Sequence, residues 1–165
     1  MANRTAVIET NKGTIKFELL EQDAPKTTEN FRLLAERNYY DNVIFHRVIP
    51  NFVIQGGDPT GTGAGGSKQR VPLEAKNKLS HNAKGIVAMA RGADPDSATS
   101  QFYITLAPQT SLDGKYAIFG RVISGIDILS KIEKDDMLYG IRLVDLSSVV
   151  RDQQPEKKKF FSSLF

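Results

Sequence analysis

Val43-Ile44-Phe45-His46-Arg47-Val48-Ile49-Pro50-Asn51-Phe52-Val53-Ile54-Gln55-Gly56-Gly57-Asp58 carries the pattern that decides the fold. Its apolar pieces, Val43 to Phe45, Val48-Ile49 and Phe52 to Ile54, are too short for helices; Pro50-Asn51 separates two of them and Gly56-Gly57 stops the last. Pieces of this kind are strands of a curved sheet. Toward the N-terminus, Ala6-Val7-Ile8 leads through Asn11-Lys12-Gly13 into Thr14-Ile15-Lys16-Phe17-Glu18-Leu19, where alternation about a glycine turn predicts a hairpin. Between hairpin and quoted stretch, Asp23 and Pro25 open a segment in which Thr27, Phe31, Leu34 and Ala35 recur at spacings of three and four opposite Lys26, Glu29 and Arg37. That pattern predicts an amphipathic helix ending near Asn38. Toward the C-terminus, Asp58 to Arg70 reads as a glycine-rich loop, followed by strands at Ile86 to Ala90, Phe102 to Leu106, Ala117 to Val122 and Ile141 to Val150, with a second helix at Ile126 to Ile132. About eight short strands and two helices do not alternate as βαβ units do. The expected architecture is therefore mainly β: an eight-stranded antiparallel barrel with α-helices closing its ends.

The chain has 165 residues, 40% of them hydrophobic, and a formal charge of +3, the composition of one ordinary globular domain. The absence of cysteine excludes disulfides, iron–sulfur clusters, thiol nucleophiles and cysteine-based zinc sites. The opening MANRTAVIET has no apolar stretch suited to a signal peptide, and no run approaches the roughly 18 residues of a membrane span. A cytoplasmic protein without a membrane partner is expected. The tail Arg151 to Phe165 takes four of the basic and two of the acidic residues, which leaves the body at +1. A nearly neutral body argues against a nucleic-acid face.

Familiar chemistries find little support. Gly61-Thr62-Gly63-Ala64-Gly65-Gly66 formally matches a dinucleotide fingerprint, but Ser67-Lys68-Gln69-Arg70-Val71-Pro72 leaves no room for the helix whose N-terminal amides must face a pyrophosphate. Ser67-Lys68 also reverses the order that a phosphate loop demands. His46 and His81, the only histidines, lie far apart, so no metal site is expected. His46 reads as a packed structural residue, turned by alternation away from Arg47. No Gly-x-Ser-x-Gly elbow is present, and Ser111 has no nearby histidine to activate it. An enzyme built on this chain works without nucleophile, metal or cofactor.

The segment Phe45 to Asp58 closely resembles the cyclophilin family of peptidyl-prolyl cis-trans isomerases. Further blocks match in order: Ala24-Pro25-Lys26-Thr27-Thr28-Glu29-Asn30-Phe31, the loop Gly61 to Gly66, Gly85-Ile86-Val87-Ala88-Met89-Ala90, Ser100-Gln101-Phe102-Tyr103-Ile104, and Leu112-Asp113-Gly114-Lys115 followed by Phe119-Gly120-Arg121-Val122. The resemblance runs from about Thr5 to Val150, so residues 1–150 are expected to form the isomerase domain and 151–165 a basic, aromatic extension. The family implies an eight-stranded barrel capped by two helices, with a site on its outer face. Carried onto this chain, the resemblance implies Arg47 and Gln55 as catalytic residues and Phe52, Val53, Ala90, Arg91, Gln101, Tyr103, Leu112 and Tyr116 as substrate-binding ones. Taken singly, Arg47 reads as a surface ion-pair partner, Phe52, Val53 and Leu112 as core, and Gln55 and Gln101 as solvent-facing strand positions. The family pattern reverses those readings. It implies proline-containing peptides and protein clients as partners, no cofactor, and action as a monomer.

Several positions depart from the best-known cyclophilins. Ser111 stands where those carry a tryptophan, so cyclosporin binding is expected to be weak; Tyr116 replaces a common histidine, Val53 a methionine, Tyr103 a phenylalanine and Arg91 an asparagine. An active isomerase with altered substrate preference is expected, the alternatives being a proline-peptide-binding or chaperone-like module and a nucleotide-dependent oxidoreductase. In the tail, Phe160, Phe161, Leu164 and Phe165 lie at helical spacing after Lys157-Lys158-Lys159, a pattern fit for a solvated tail or for docking.

Overall fold

The computed structural model describes residues 3–145; the tail from Arg151 and the end of the last expected strand lie outside the described residues. Nine strands form one antiparallel sheet: β1 (Thr5–Thr10), β2 (Gly13–Leu19), β3 (Val43–Ile44), β4 (Arg47–Ile49), β5 (Val53–Gly56), β6 (Ile86–Met89), β7 (Phe102–Thr105), β8 (Ile118–Ser124) and β9 (Met137–Val144). Their order is β3-β9-β1-β2-β8-β6-β7-β5-β4. The two outermost strands, β3 and β4, are joined only by Phe45-His46, and a link of that length spans at most about 11 Å. The sheet must therefore curl until its edges meet, which is the barrel-like shape expected, and the two-residue β3 brings the strand count to nine.

Local chemistry explains the elements. The β1–β2 hairpin pairs Thr10 with Gly13 across Asn11-Lys12, and the Thr10 hydroxyl accepts from both turn amides, Lys12 at 3.1 Å and Gly13 at 3.1 Å. Helix α1 (Pro25–Glu36) buries the expected stripe of Thr27, Phe31, Leu34 and Ala35. Asn38 ends it in the left-handed region at φ 59°, while the Tyr39 N–H returns to the Leu34 carbonyl at 3.0 Å. No local side chain caps its start. Instead the Glu74 carboxylate, remote in sequence, accepts from the Thr27 N–H at 2.7 Å, the Thr27 hydroxyl at 2.7 Å and the Lys26 N–H at 3.1 Å.

Two elements differ from the sequence reading. Helix α2 (Ile126–Leu129) is a single turn, after which the Lys131 and Ile132 amides bond to the Ile128 and Leu129 carbonyls in tighter i→i+3 fashion. Leu129 and Ile132 still end up buried. Strand β9 begins at Met137 rather than Ile141, because a register shift pairs Thr10 with Leu138 but Glu9 with Gly140 and leaves Tyr139 as the extra residue. Buried Leu138 and Ile141 therefore stand three apart, and the alternation that marks a strand is hidden.

The interior of the curl is filled. Phe31 projects from α1 into it, with ring centroids 5.1 Å from Phe119, 5.3 Å from Tyr40, 5.6 Å from Phe17 and 5.8 Å from Phe102. Ile54, Val87, Met89 and Ile104 complete this core. The other faces of β5, β6 and β7, with the start of β8, carry a second apolar cluster, Val53, Ile86, Ala88, Tyr103 and Ile118. Apolar runs such as Val53-Ile54 and Phe102-Tyr103-Ile104 thus report burial on both faces, and the outer cluster is the floor on which a site can be built.

The Glu74 cap yields a direct expectation. Glu74→Ala leaves the first amides of α1 without their partner and lowers unfolding free energy by about 1 kcal/mol, read from the urea midpoint at unchanged m-value.

Candidate active site

Antiparallel register brings the expected residues together. Arg47 pairs with Gln55 across β4 and β5, Gln55 with Tyr103 across β5 and β7, and Tyr103 with Ala88 across β7 and β6. Directly opposite residues share a face, so the four side chains form one row on the outside of the curl. Phe52, Ala90, Leu112 and Tyr116 pack against the apolar cluster beneath. The result is a hollow of about 120 Å³ lined by Arg47, Phe52, Val53, Gln55, Ala90, Arg91, Tyr103, Leu112 and Tyr116. Of the ten residues singled out from sequence, only Gln101 lies outside it, in an adjoining cavity.

Arg47 is exposed, and its Nη1 donates to Gln55 Oε1 at 3.1 Å while its ζ carbon stands 5.7 Å from the Phe52 ring centroid. Gln55 Nε2 in turn donates to Gln101 Oε1 at 2.9 Å. Gln101 Nε2 donates to the Gly63 and Gly65 carbonyls, both at 2.8 Å. These bonds fix both amide orientations in series, so that Gln55 can present only its carbonyl oxygen to Arg47. Among the described residues no carboxylate lies within ion-pair distance of Arg47 or Arg91.

The glycine-rich loop that ends this relay is ordered by a residue whose role sequence reasoning missed. Asp58 is fully buried and accepts from the Gly63 N–H at 2.7 Å, the Gly65 N–H at 3.0 Å, and the Thr60 N–H and hydroxyl at 2.9 and 2.8 Å. Gly65 permits the wrap, because a Cβ there would stand 2.2 Å from Asp58 Oδ1. Burial by itself would raise the Asp58 carboxyl, but the bonds from Gly65, Thr60 and Gly63 together outweigh it and hold the pKa at about 2. The sequence signal was present: an aspartate opening a glycine-rich turn rich in small hydroxyls is a loop anchor. His46 packs against the same loop, 3.4 Å from where a Gly63 Cβ would sit, and its Nδ1 is shielded without a partner. Burial lowers its pKa.

A second unforeseen set supports the opposite wall. Tyr103 donates or accepts through its hydroxyl to His81 Nε2 at 2.8 Å, and His81 Nδ1 meets Asp113 Oδ1 at 2.7 Å. Asp113 also accepts from the His81 N–H at 2.7 Å and from the Ser80 hydroxyl. His81 is fully buried, so this chain anchors the Tyr103 ring that forms the floor of the hollow. Two residues remote in sequence from Tyr103 could not be joined to it without the fold. Among the described residues no group of three or more acidic or histidine side chains is placed to hold a metal ion.

Asp58 links the site to acid stability. Its folded pKa lies below the ordinary value of 3.8, so the stabilisation is complete above about pH 5 and is lost as pH falls through about 2, amounting to about 2 kcal/mol. Asp58→Asn lacks that acid limb: urea midpoints measured from pH 6 to pH 2 fall less steeply in the variant than in the parent, from a lower starting value.

Comparison with known proteins shows the family. The family model described as cyclophilin type peptidyl-prolyl cis-trans isomerase matches residues 5–158. A peptidyl-prolyl cis-trans isomerase of Schizosaccharomyces pombe is 52% identical over 128 residues, covering 76% of this chain and 82% of that protein. The peptidyl-prolyl cis-trans isomerase-like 1 protein of Gibberella zeae is 50% identical over 157 residues, covering 90% and 96%. The crystal structure of a Cryptosporidium parvum cyclophilin type isomerase superposes with a TM-score of 0.83 at 36% identity, over 87% of this chain and 98% of that one. A second crystal structure of that type, determined in the presence of the dipeptide Ala-Pro, gives a TM-score of 0.81 over 86% and 99%. With about half of the aligned residues identical to those of named isomerases and a family match over residues 5–158, this chain belongs to the cyclophilin-type peptidyl-prolyl cis-trans isomerase family.

Proposed function

We propose that the chain is an isomerase of X-Pro bonds in peptides and in flexible or unfolded proteins, and that Arg47 stabilises the twisted amide. The observation that carries this reading is an exposed guanidinium, free of any carboxylate partner among the described residues, held by Gln55 beside a small hollow walled by Phe52, Val53 and Leu112. Rotation about the bond meets a barrier of about 18–20 kcal/mol, while the two end states differ by only about 1 kcal/mol. Catalysis must therefore favour the perpendicular geometry over both planar ones.

In the planar imide the nitrogen lone pair is delocalised and offers nothing to a donor. In the twisted state it localises, and a cation beside it gains an interaction that neither end state provides. Arg47 has N–H groups beyond the one spent on Gln55, and the relay through Gln55 and Gln101 holds the guanidinium in place before substrate arrives. Buried Val53 and Tyr103, with Phe52 and Leu112, supply an apolar recess for one pyrrolidine ring, and exclusion of water there strengthens the contact. No bond to a heavy atom forms or breaks and no proton moves, so nucleophile and cofactor are superfluous. Raising a spontaneous rate on the order of 0.01 per second to about 1000 per second takes about 7 kcal/mol, of which one preorganised cation supplies about 3–4 kcal/mol and fixation of the ring in the recess the remainder.

The crystal structure obtained in the presence of Ala-Pro supports proline peptides as the substrate class. We place the activity in residues 1–150 and in a cytoplasmic monomer. Exposed Ser111, next to Leu112 at the rim, offers no indole to a macrocycle, in keeping with weak cyclosporin binding.

Arg47→Ala is expected to lower kcat/KM for an Ala-Pro peptide by about 100- to 1000-fold with the urea midpoint unchanged, since the side chain is exposed. An exchange-based isomerisation assay in H2O and D2O reads both parts of the mechanism. A binding-only module shows no acceleration in the parent protein, and a mechanism with rate-limiting proton transfer shows a large solvent isotope effect.

A further inference from the structure

Beside the proline hollow lies a larger cavity of about 620 Å³ that shares Gln55, Ala90 and Arg91 with it. A peptide whose proline fills the hollow must therefore pass a neighbouring side chain along or into this cavity. Its lining is formed by glycines, alanines, serine, threonine and glutamine, and the one charged side chain on it is Arg91.

Arg91 is fixed without being neutralised. Its Nε donates to the Lys115 carbonyl at 2.9 Å and its Nη1 to the Gly92 carbonyl at 2.9 Å and the Ala93 carbonyl at 3.4 Å. Its ζ carbon lies 4.8 Å from the Tyr116 ring centroid. Carbonyls and a ring orient the guanidinium without pairing it; Asp94, bonded to Arg70, feels its charge only as the smallest of the influences on that carboxyl, and Nη2 has no hydrogen-bond partner among the described residues. The carboxylates of the neighbourhood are already engaged. Asp58 is buried under the glycine loop, Asp94 pairs with Arg70 at 2.9 Å, and Asp113 is held by His81 and Ser80. Arg47 too has no ion-pair partner among the described residues, and the linings of the two cavities hold these two cations and no carboxylate. The N–H and C=O of Arg91 also lack partners among the described residues, so the main chain of a peptide can lie alongside it.

We propose that Arg91 selects an acidic side chain flanking the target proline, holding its carboxylate at the edge of this cavity. The proposal rests on the isomerase reading and adds its substrate class. A carboxylate there receives charge-assisted bonds from a guanidinium already oriented, whereas an amide of the same shape gains only a neutral contact, and a lysine or arginine is repelled.

The test uses proline peptides in which one position at a time, from three before the proline to two after it, carries Glu or Gln, together with an all-neutral Ala-Pro peptide. At one or more positions Glu is expected to exceed Gln in kcat/KM by about three- to tenfold. The gain disappears in Arg91→Gln, survives in part in Arg91→Lys, and shrinks as salt is raised. Comparing two peptides on the same variant removes any general loss of activity from the ratio. Turnover of the neutral peptide with no position at which Glu outpaces Gln overturns this proposal alone, as does a preference that persists undiminished in Arg91→Gln. Failure of the full-length protein to turn over any of the peptides overturns the isomerase reading and this subsite with it.

Discussion

The register of β4, β5 and β7 is the constraint on which the rest depends. Side chains alternate between faces with a period of two, so the pairing of Arg47 with Gln55 and of Gln55 with Tyr103 puts all three outside the curl while Ile54, Phe102 and Ile104 fill it. A slip by one residue would send a guanidinium into a core packed with phenylalanine rings and bring isoleucines out to the hollow. Because β5 and β7 bury apolar residues on both faces, the burial that stabilises the curl also fixes the site. The geometry of the site is thereby tied to a main source of stability, the removal of apolar surface from water.

Electrostatic order is distributed unequally across the site, and the inequality has a physical sense. Three carboxylates near it are engaged within the fold: Asp58 with the amides and hydroxyls of its loop, Asp113 with His81 and Ser80, Asp94 with Arg70. The two arginines, by contrast, are held by neutral groups, Arg47 by an amide oxygen and Arg91 by main-chain carbonyls. A cation paired with a carboxylate would have its field cancelled before a substrate arrived. Held by dipoles, it keeps a fixed position and most of its reach, which is the requirement for stabilising charge that appears only in a transition state.

Rigidity reaches the site through short relays. From the buried Asp58 carboxylate, order passes to the carbonyls of Gly63 and Gly65, to the Gln101 amide, to Gln55 and so to Arg47. From the other side, His81 and Asp113 hold Tyr103. The glycine-rich stretch that formally resembled a nucleotide fingerprint is thus a structural strap: its Gly63 and Gly65 amides point inward to an internal carboxylate, and no helix follows it to face a pyrophosphate.

Periodicity and turn chemistry in the sequence were enough to determine the first hairpin, the stripe of α1, the short strands about Pro50-Asn51 and the antiparallel class, because each is set by neighbours a few residues apart. The likeness of Phe45 to Asp58 to a known family pointed to Arg47 and its companions. Strand β9 was legible only from Ile141, since the bulge at Tyr139 breaks the alternation that a reader of sequence counts on. Glu74 capping α1, His81 bracing Tyr103, Asp58 tethering the loop, and the unpaired charge of Arg91 facing a cavity were decided by the tertiary structure alone. Each depends on polar atoms far apart along the chain coming within about 3 Å of one another. Hydrogen bonding is too short-ranged and too directional to leave a mark in spacing, whereas burial, being a property of faces, leaves one in every strand.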